Sequence, residues 1–307
     1  MAKKPEAKTR SSAPTNFIDP NILSSIDNLE LRARVAVEGF LNGLHRSPHR
    51  GFSVEFTDYR HYNQGDDTRH IDWKLYARSN KLYLKQFEDE TNSRCMILLD
   101  TSASMSYGSG ENTKFEYART LAAAMAYFAI RQRDAAGLIS FDSKVNTVIP
   151  ALYRNTHLMQ IFRALVGLSP ANTTDTVRPL RDLAATLRSR SFVVLISDML
   201  DNEKETIKLL QQMRAMGHEV ILFHVMDNVE LNFTFDSATE FVDAETKSTL
   251  KTSPGAVRKD YLAAVNAFTD YCKTQCRSHG VDYCLLNTSE PIDLALSAYL
   301  KRRARGF

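Results

Sequence analysis

A membrane-spanning helix needs roughly 18 to 20 consecutive apolar residues, and this sequence offers none: its longest apolar run, Leu121 to Ile130, stops at ten and is rich in alanine. No transmembrane span is expected. Cysteine is scarce, with only Cys95, Cys272, Cys276 and Cys284 in 307 residues. That is too few and too uneven for a disulfide framework, so reduced thiols are expected. Cys272, Cys276 and His279 fall at i, i+4 and i+7 of a predicted helix with Cys284 on the next strand, which in principle builds a Cys3His zinc site. Burial as small apolar side chains is the preferred reading. Signatures of phosphate binding and acyl transfer are missing as well. Gly108-Ser109-Gly110 has no following Gly-Lys-Ser/Thr, so it is not a P-loop, and no G-x-S-x-G nucleophile elbow occurs.

Charge of one sign is lacking too, the net being +3. Residues 1–16 hold four Lys/Arg and one Glu, and residues 301–305 hold four Lys/Arg, so the body between them carries −4. Nucleic-acid surfaces show a basic stripe on folded elements; a mildly acidic body with basic ends predicts no specific nucleic-acid partner. The opening Met1-Ala2-Lys3-Lys4-Pro5-Glu6 is charged and has no apolar h-region, which predicts a cytoplasmic protein.

What the chain does have is an alternation of strand and helix patterns from residue 95 onward. Short apolar runs at 95–100, 136–141, 145–150, 192–197, 219–226 and 281–286 read as strands. Amphipathic stretches at 114–133, 156–167, 177–189, 203–216, 256–279 and 291–304 read as helices. Continuous apolar strands between such helices predict an α/β fold with a mostly parallel, doubly wound sheet covered on both faces. Asp142-Ser143 between two strands predicts a hairpin and one antiparallel edge strand. The organisation expected is a disordered basic tail over 1–16, a helical and polar region over 17–92, the α/β domain over 93–290, and a C-terminal helix and basic tail over 291–307. Residues 228–255 read as an insertion with two short strands.

The chemistry gathers where strands end. Met96-Ile97-Leu98-Leu99 runs into Asp100-Thr101-Ser102-Ala103-Ser104, presenting one carboxylate and two hydroxyls. Phe192 to Ile196 runs into Ser197-Asp198, and the polar loop Asn172-Thr173-Thr174-Asp175 brings another hydroxyl to a helix start. Open α/β sheets place ligands at the C-terminal ends of their strands. Oxygen-only ligands suit a hard cation, Mg²⁺ first, with Mn²⁺ or Ca²⁺ as alternatives. Asp100, Ser102, Ser104, Thr174 and Asp198 are therefore the candidate metal ligands. Asp175 and Asp142 are candidates for orienting them, helix capping and turn formation being the plainer explanations. His224, inside the apolar run Val220 to Met226, reads as a satisfied core histidine.

The order and spacing of those five residues resemble the metal-ion-dependent adhesion site of von Willebrand factor A domains. A second pattern lies upstream. Glu55-Phe56-Thr57-Asp58-Tyr59-Arg60, then Tyr62, Gly65-Asp66-Asp67, Arg69, Ile71-Asp72-Trp73-Lys74 and Ala77-Arg78, leading to Leu82-Tyr83, is similar to the signature of the domain-of-unknown-function 58 family. One departure is visible: the loop usually reads Gly-Gly-Thr-Asp, where this chain has Asn172-Thr173-Thr174-Asp175. The resemblance implies a von Willebrand A-like domain that takes a partner's carboxylate on its metal. It also implies a MoxR-type AAA+ ATPase as partner, acting with this chain on a further client protein.

Asp58, Arg60, Asp66, Asp67, Arg69, Asp72, Trp73 and Arg78 form either a structural ion-pair network anchored by the lone tryptophan or an interaction surface, the former preferred. A non-enzymatic adaptor is the expected function, with no catalytic residue assigned. The alternative is a Mg²⁺-dependent hydrolase or phosphatase. Against it, aspartyl phosphatases need a second Asp two residues after the first, where this chain has Ser102.

Overall fold

A computed structural model describes residues 28–46, 59–61, 76, 78, 81–85, 93–110, 112–171, 177–187, 189–235, 239–242, 249–252 and 254–303. In chain order the elements are α1 (Leu29–Arg46), β1 (Tyr59–His61), β2 (Tyr83–Lys85), β3 (Arg94–Asp100), α2 (Lys114–Arg131), β4 (Ala135–Phe141) and β5 (Val145–Leu152). There follow α3 (Asn155–Gly167), α4 (Val177–Thr186), β6 (Phe192–Ser197), α5 (Glu203–Ala215), β7 (Glu219–Met226) and α6 (Asn228–Asn232). The chain closes with β8 (Thr239–Val242), β9 (Thr249–Thr252), α7 (Pro254–Ser278), β10 (Asp282–Asn287) and α8 (Asp293–Arg303). A four-residue 3₁₀ turn, Ala103–Ser106, follows β3.

Six strands form one sheet in the order β10-β7-β6-β3-β4-β5. All neighbours run parallel except β4 and β5, which pair antiparallel at the edge. Side chains alternate across the sheet. Cys95, Ile97 and Leu99 of β3 therefore join one core with α1, α2, α3 and α8. Met96 and Leu98 join the other, with α4, α5 and α7. Burial on both faces is why β3, β6 and β7 carry continuous apolar runs rather than alternating. The result is the von Willebrand A-like doubly wound sheet.

Glycine is needed at one place in this sheet. The β4–β5 register shifts between Ala136 and Leu138, and a Cβ on Gly137 would lie 2.8 Å from Ala151 N and 2.9 Å from Ile149 O. Only a residue without a side chain lets the edge strand close on the bulge.

Helix α2 starts at Thr113, whose hydroxyl accepts the Glu116 N–H at 3.1 Å, a Ser/Thr cap with glutamate at the third position. Fourteen of its eighteen residues are buried, among them Ala122, Ala123, Ala124 and Ala126. The small side chains let it lie closely between the sheet and α1, and the alanine-rich run that was too short for a membrane thus has its place in the core. Within the insertion, β8 and β9 are the two expected short strands and pair antiparallel, while α6 is an element the apolar pattern does not announce. The tail at 1–16 lies outside the described residues. Among the described residues, no helix is long and apolar enough to cross a membrane.

Candidate metal site at the sheet edge

β3 and β6 are adjacent and parallel, so their C-terminal ends bring Asp100 and Asp198 to one edge, both buried. Asp100 Oδ1 accepts the Ser102 N–H at 2.9 Å, and its Oδ2 accepts the Ser197 hydroxyl at 2.6 Å. Ser102 and Ser104 turn their hydroxyl oxygens toward each other, 3.0 Å apart. Four of the five predicted ligands are therefore together, while Thr174, with Asp175, lies outside the described residues. The chain approaches that loop beside the same strand end, since the Ala171 N–H donates to Thr101 O at 3.0 Å.

Burial first, and the neighbouring Asp198 carboxylate second, push the Asp100 carboxyl up to about 7, although the Ser197 and Ser102 bonds pull it down. Positive charge brought beside such a carboxyl would favour its ionised form. An octahedron with Mg–O bonds of about 2.0–2.1 Å has edges of about 2.9 Å, close to the separation of the two serine hydroxyls. Among the described residues no three His, Cys, Asp or Glu side chains converge as for a metal, so a cation here would need the serine hydroxyls as ligands. The residues present fit a hard divalent cation.

Asp198 has a partner that the sequence reading did not anticipate. Its Oδ2 accepts the Lys114 Nζ at 2.8 Å, and the same ammonium donates to Glu230 Oε1 at 2.8 Å. The side chains of Lys114 and Asp198 are each only 1% exposed, that of Glu230 17%. Burial works against the ammonium, but attraction and hydrogen bonds from both carboxylates outweigh it and hold the Lys114 pKa above the ordinary lysine value.

Two features fix the position of this lysine. The Lys114 N–H donates to Tyr107 O at 2.8 Å, closing the loop 107–113. Gly108 lies at the neck of that loop, where a Cβ would come within 2.6 Å of Asn112 O and 2.7 Å of Thr113 Cα. On the other side, Glu230 uses its second oxygen to accept the Asp227 N–H at 2.9 Å, completing a reciprocal cap on α6. Asp227 in turn accepts from Ser109 N and from the Thr288 hydroxyl, each at 3.1 Å. Both signals were present in the sequence: a lysine at the first position of a helix opposes the helix dipole, and Asp227-x-x-Glu230 is a capping-box spacing.

His224 is buried and satisfied, as expected, and also holds the site. Its Nε2 lies 2.9 Å from Asp198 O and its Nδ1 2.8 Å from the Tyr283 hydroxyl. A carbonyl only accepts, so Nε2 carries the proton and Nδ1 accepts from Tyr283. Desolvation pushes this histidine down to about 4, so it is a neutral strut beneath Asp198.

The remaining predicted residues are placed as follows. Asp142 accepts from Lys144 N at 3.1 Å and Asn146 Nδ2 at 3.0 Å, the turn-forming role in the β4–β5 hairpin. Asp58, Asp66, Asp67, Arg69, Asp72 and Trp73 lie outside the described residues. Arg60 pairs with Leu84 in the β1–β2 ladder, and Arg78 is exposed. The Cys3His zinc arrangement does not form. Cys272 and Cys276 belong to one core and Cys284 to the opposite one, while His279 is exposed and bonds locally to Gln275 and Ser278. Burial pushes both helix thiols up to about 12, which leaves them protonated.

Comparison with known proteins adds the following. The model of a family described as "Protein of unknown function DUF58" matches residues 58–270. An uncharacterized protein of Mycobacterium tuberculosis is 25% identical over 295 residues, covering 94% of this chain and 92% of that one, and one of Mycobacterium bovis matches to the same extent. Among solved structures, an aerotolerance-related membrane protein from Bacteroides fragilis, carrying multiple mutations to serines, superimposes with a TM-score of 0.50 at 16% identity, covering 70% of this chain and 100% of that one. The conserved hypothetical protein BatB from Bacteroides thetaiotaomicron gives 0.49 at 14% identity, with the same coverage. The likeness to the first is one of fold alone.

Proposed function

The chain belongs to the DUF58 family, and on that premise we propose that it is a protein-interaction module whose docking contact is a divalent cation. The ligands in this reading are Asp100, Ser102, Ser104, Thr174 and Asp198, and the ion is Mg²⁺, with Mn²⁺ or Ca²⁺ able to replace it. The observation that carries it is the meeting of two hydroxyls and two carboxylates on adjacent strand ends, the carboxylates lying near enough that Asp198 adds to burial in raising Asp100. A bound cation would supply an electrophilic position for an external carboxylate, a charge-assisted contact.

The chain's own residues prepare that contact. Ser197 and the Ser102 N–H orient Asp100, and His224 holds the backbone of Asp198. Leu200, 55% exposed, gives the rim an apolar edge to exclude water from a docked side chain. The partner, by family resemblance, is a MoxR-type AAA+ ATPase, and the pair would act on a client protein.

The test is a pull-down from native lysate with wild-type protein and Asp100→Ala, each in Mg²⁺ or in EDTA, with circular dichroism to check folding. Capture of an AAA+ ATPase by the wild type in Mg²⁺ alone upholds the reading. Equal capture under all four conditions removes the metal from the contact.

A further inference from the structure

The ammonium of Lys114 lies on the same carboxylate that the proposed cation needs. Asp198 Oδ2 accepts Lys114 Nζ at 2.8 Å, while Oδ1 accepts the Leu200 N–H at 3.3 Å. An ion approaching this carboxylate therefore arrives beside a positive charge that is itself buried and cannot retreat into water. Two like charges a few ångströms apart at a dry site repel strongly. Glu230 offers the ammonium a second carboxylate at the same 2.8 Å distance. It is not among the predicted ligands and is fixed by its own bond to Asp227 N.

We propose that Lys114 is a tethered cation that competes with the divalent ion for Asp198, and that Glu230 retains the ammonium when the ion binds, so that the Lys114–Glu230 pair sets the metal affinity of the site. This rests on the metal-site reading above. It assigns to this chain two affinity-setting residues that are not ligands: one that weakens metal binding and one that limits the weakening.

The two roles predict opposite signs, which a merely structural ion pair would not produce. Mn²⁺ binding to the full chain would be measured by calorimetry and by the loss of the free-ion resonance signal, for wild type, Lys114→Met, Glu230→Gln and Asp100→Asn. Lys114→Met should bind Mn²⁺ about tenfold more tightly than wild type, or better, because a repelling charge has gone. It should also show the larger rise in Tm on adding Mn²⁺. Glu230→Gln should bind several-fold more weakly, since Asp198 is then the ammonium's only carboxylate.

If both variants weaken binding, or neither changes it, the competition proposal is overturned while the metal site stands. If wild type and Lys114→Met both fail to bind Mn²⁺ saturably, or if Asp100→Asn binds as wild type does, the metal reading falls and this proposal with it. Should Lys114→Met not fold, Glu230→Gln decides: weaker binding supports competition, and unchanged or tighter binding overturns it.

Discussion

Two parts of one sheet edge bury carboxyl groups in different ways. At the centre, Asp100 and Asp198 end neighbouring strands, and donors converge on them: a serine hydroxyl, a backbone N–H and a lysine ammonium. At the outer end, beyond β10, Asp293 opens α8, and burial alone pushes its carboxyl up to about 6. Asp100 closes a strand and Asp293 opens a helix, and both carboxyls are raised. Burial of an acid is therefore no mark of a binding site. At Asp100 a second carboxylate stands beside the first and donors surround the pair, whereas burial alone raises Asp293.

The contrast would break most completely at Asp198. Asp198→Asn leaves a buried ammonium with one carboxylate, and urea unfolding in EDTA should show a loss of about 2–4 kcal/mol. Gly108→Ala tests the positioning of that ammonium instead of its partner. The added Cβ meets backbone, not a yielding side chain, so the loop must open. A loss of about 1–3 kcal/mol is expected, with Mn²⁺ affinity changed although no ligand is touched.

The outer position should respond with the opposite sign. The folded pKa of Asp293 lies above its unfolded value, so its favourable contribution is fully present below pH 3.8 and is lost as the pH rises through about 6. Asp293→Asn should therefore stabilise the protein by about 1–3 kcal/mol at pH 8 and change little at pH 3.5, read from unfolding curves at the two values. The smallest effect on stability belongs to Leu200→Ser, within about 0.5 kcal/mol because the side chain is exposed. The same substitution should reduce capture of the partner in the Mg²⁺ pull-down, separating the rim's role in docking from any role in folding.

Much of this was legible in the sequence because the signals are local. Apolar runs of four or five residues mark β3, β6 and β7, and Asp100 and Asp198 follow from where the first two runs stop. The two serines follow from their spacing after Asp100. Asp142-Ser143 announced the antiparallel edge.

What escaped is non-local. Lys114 is 84 residues from Asp198 and 116 from Glu230, so the ion pair exists only once the sheet has ordered its strands. A lysine heading an alanine-rich helix reads as surface until the helix is seen to be buried on nearly every side. Helix α6 escaped because it buries no residue and so carries no apolar period. The supposed zinc ligands failed for a geometric reason: strand and helix residues that are near in sequence were distributed to opposite faces of the sheet.

The two helices that hold the ends of this ion pair are anchored very differently. With fourteen of its eighteen residues buried, α2 sits in a close-packed interior that does not deform by degrees. It is a fixed post, and Lys114 can change partners only by turning its own side chain. Helix α6, with none of its five residues fully buried, is held by its capping box and by hydrogen bonds from Asn287 of β10 and Arg258 of α7. Of the two supports of this ion pair, packing holds the one beneath the ammonium and hydrogen bonds hold the one beneath Glu230.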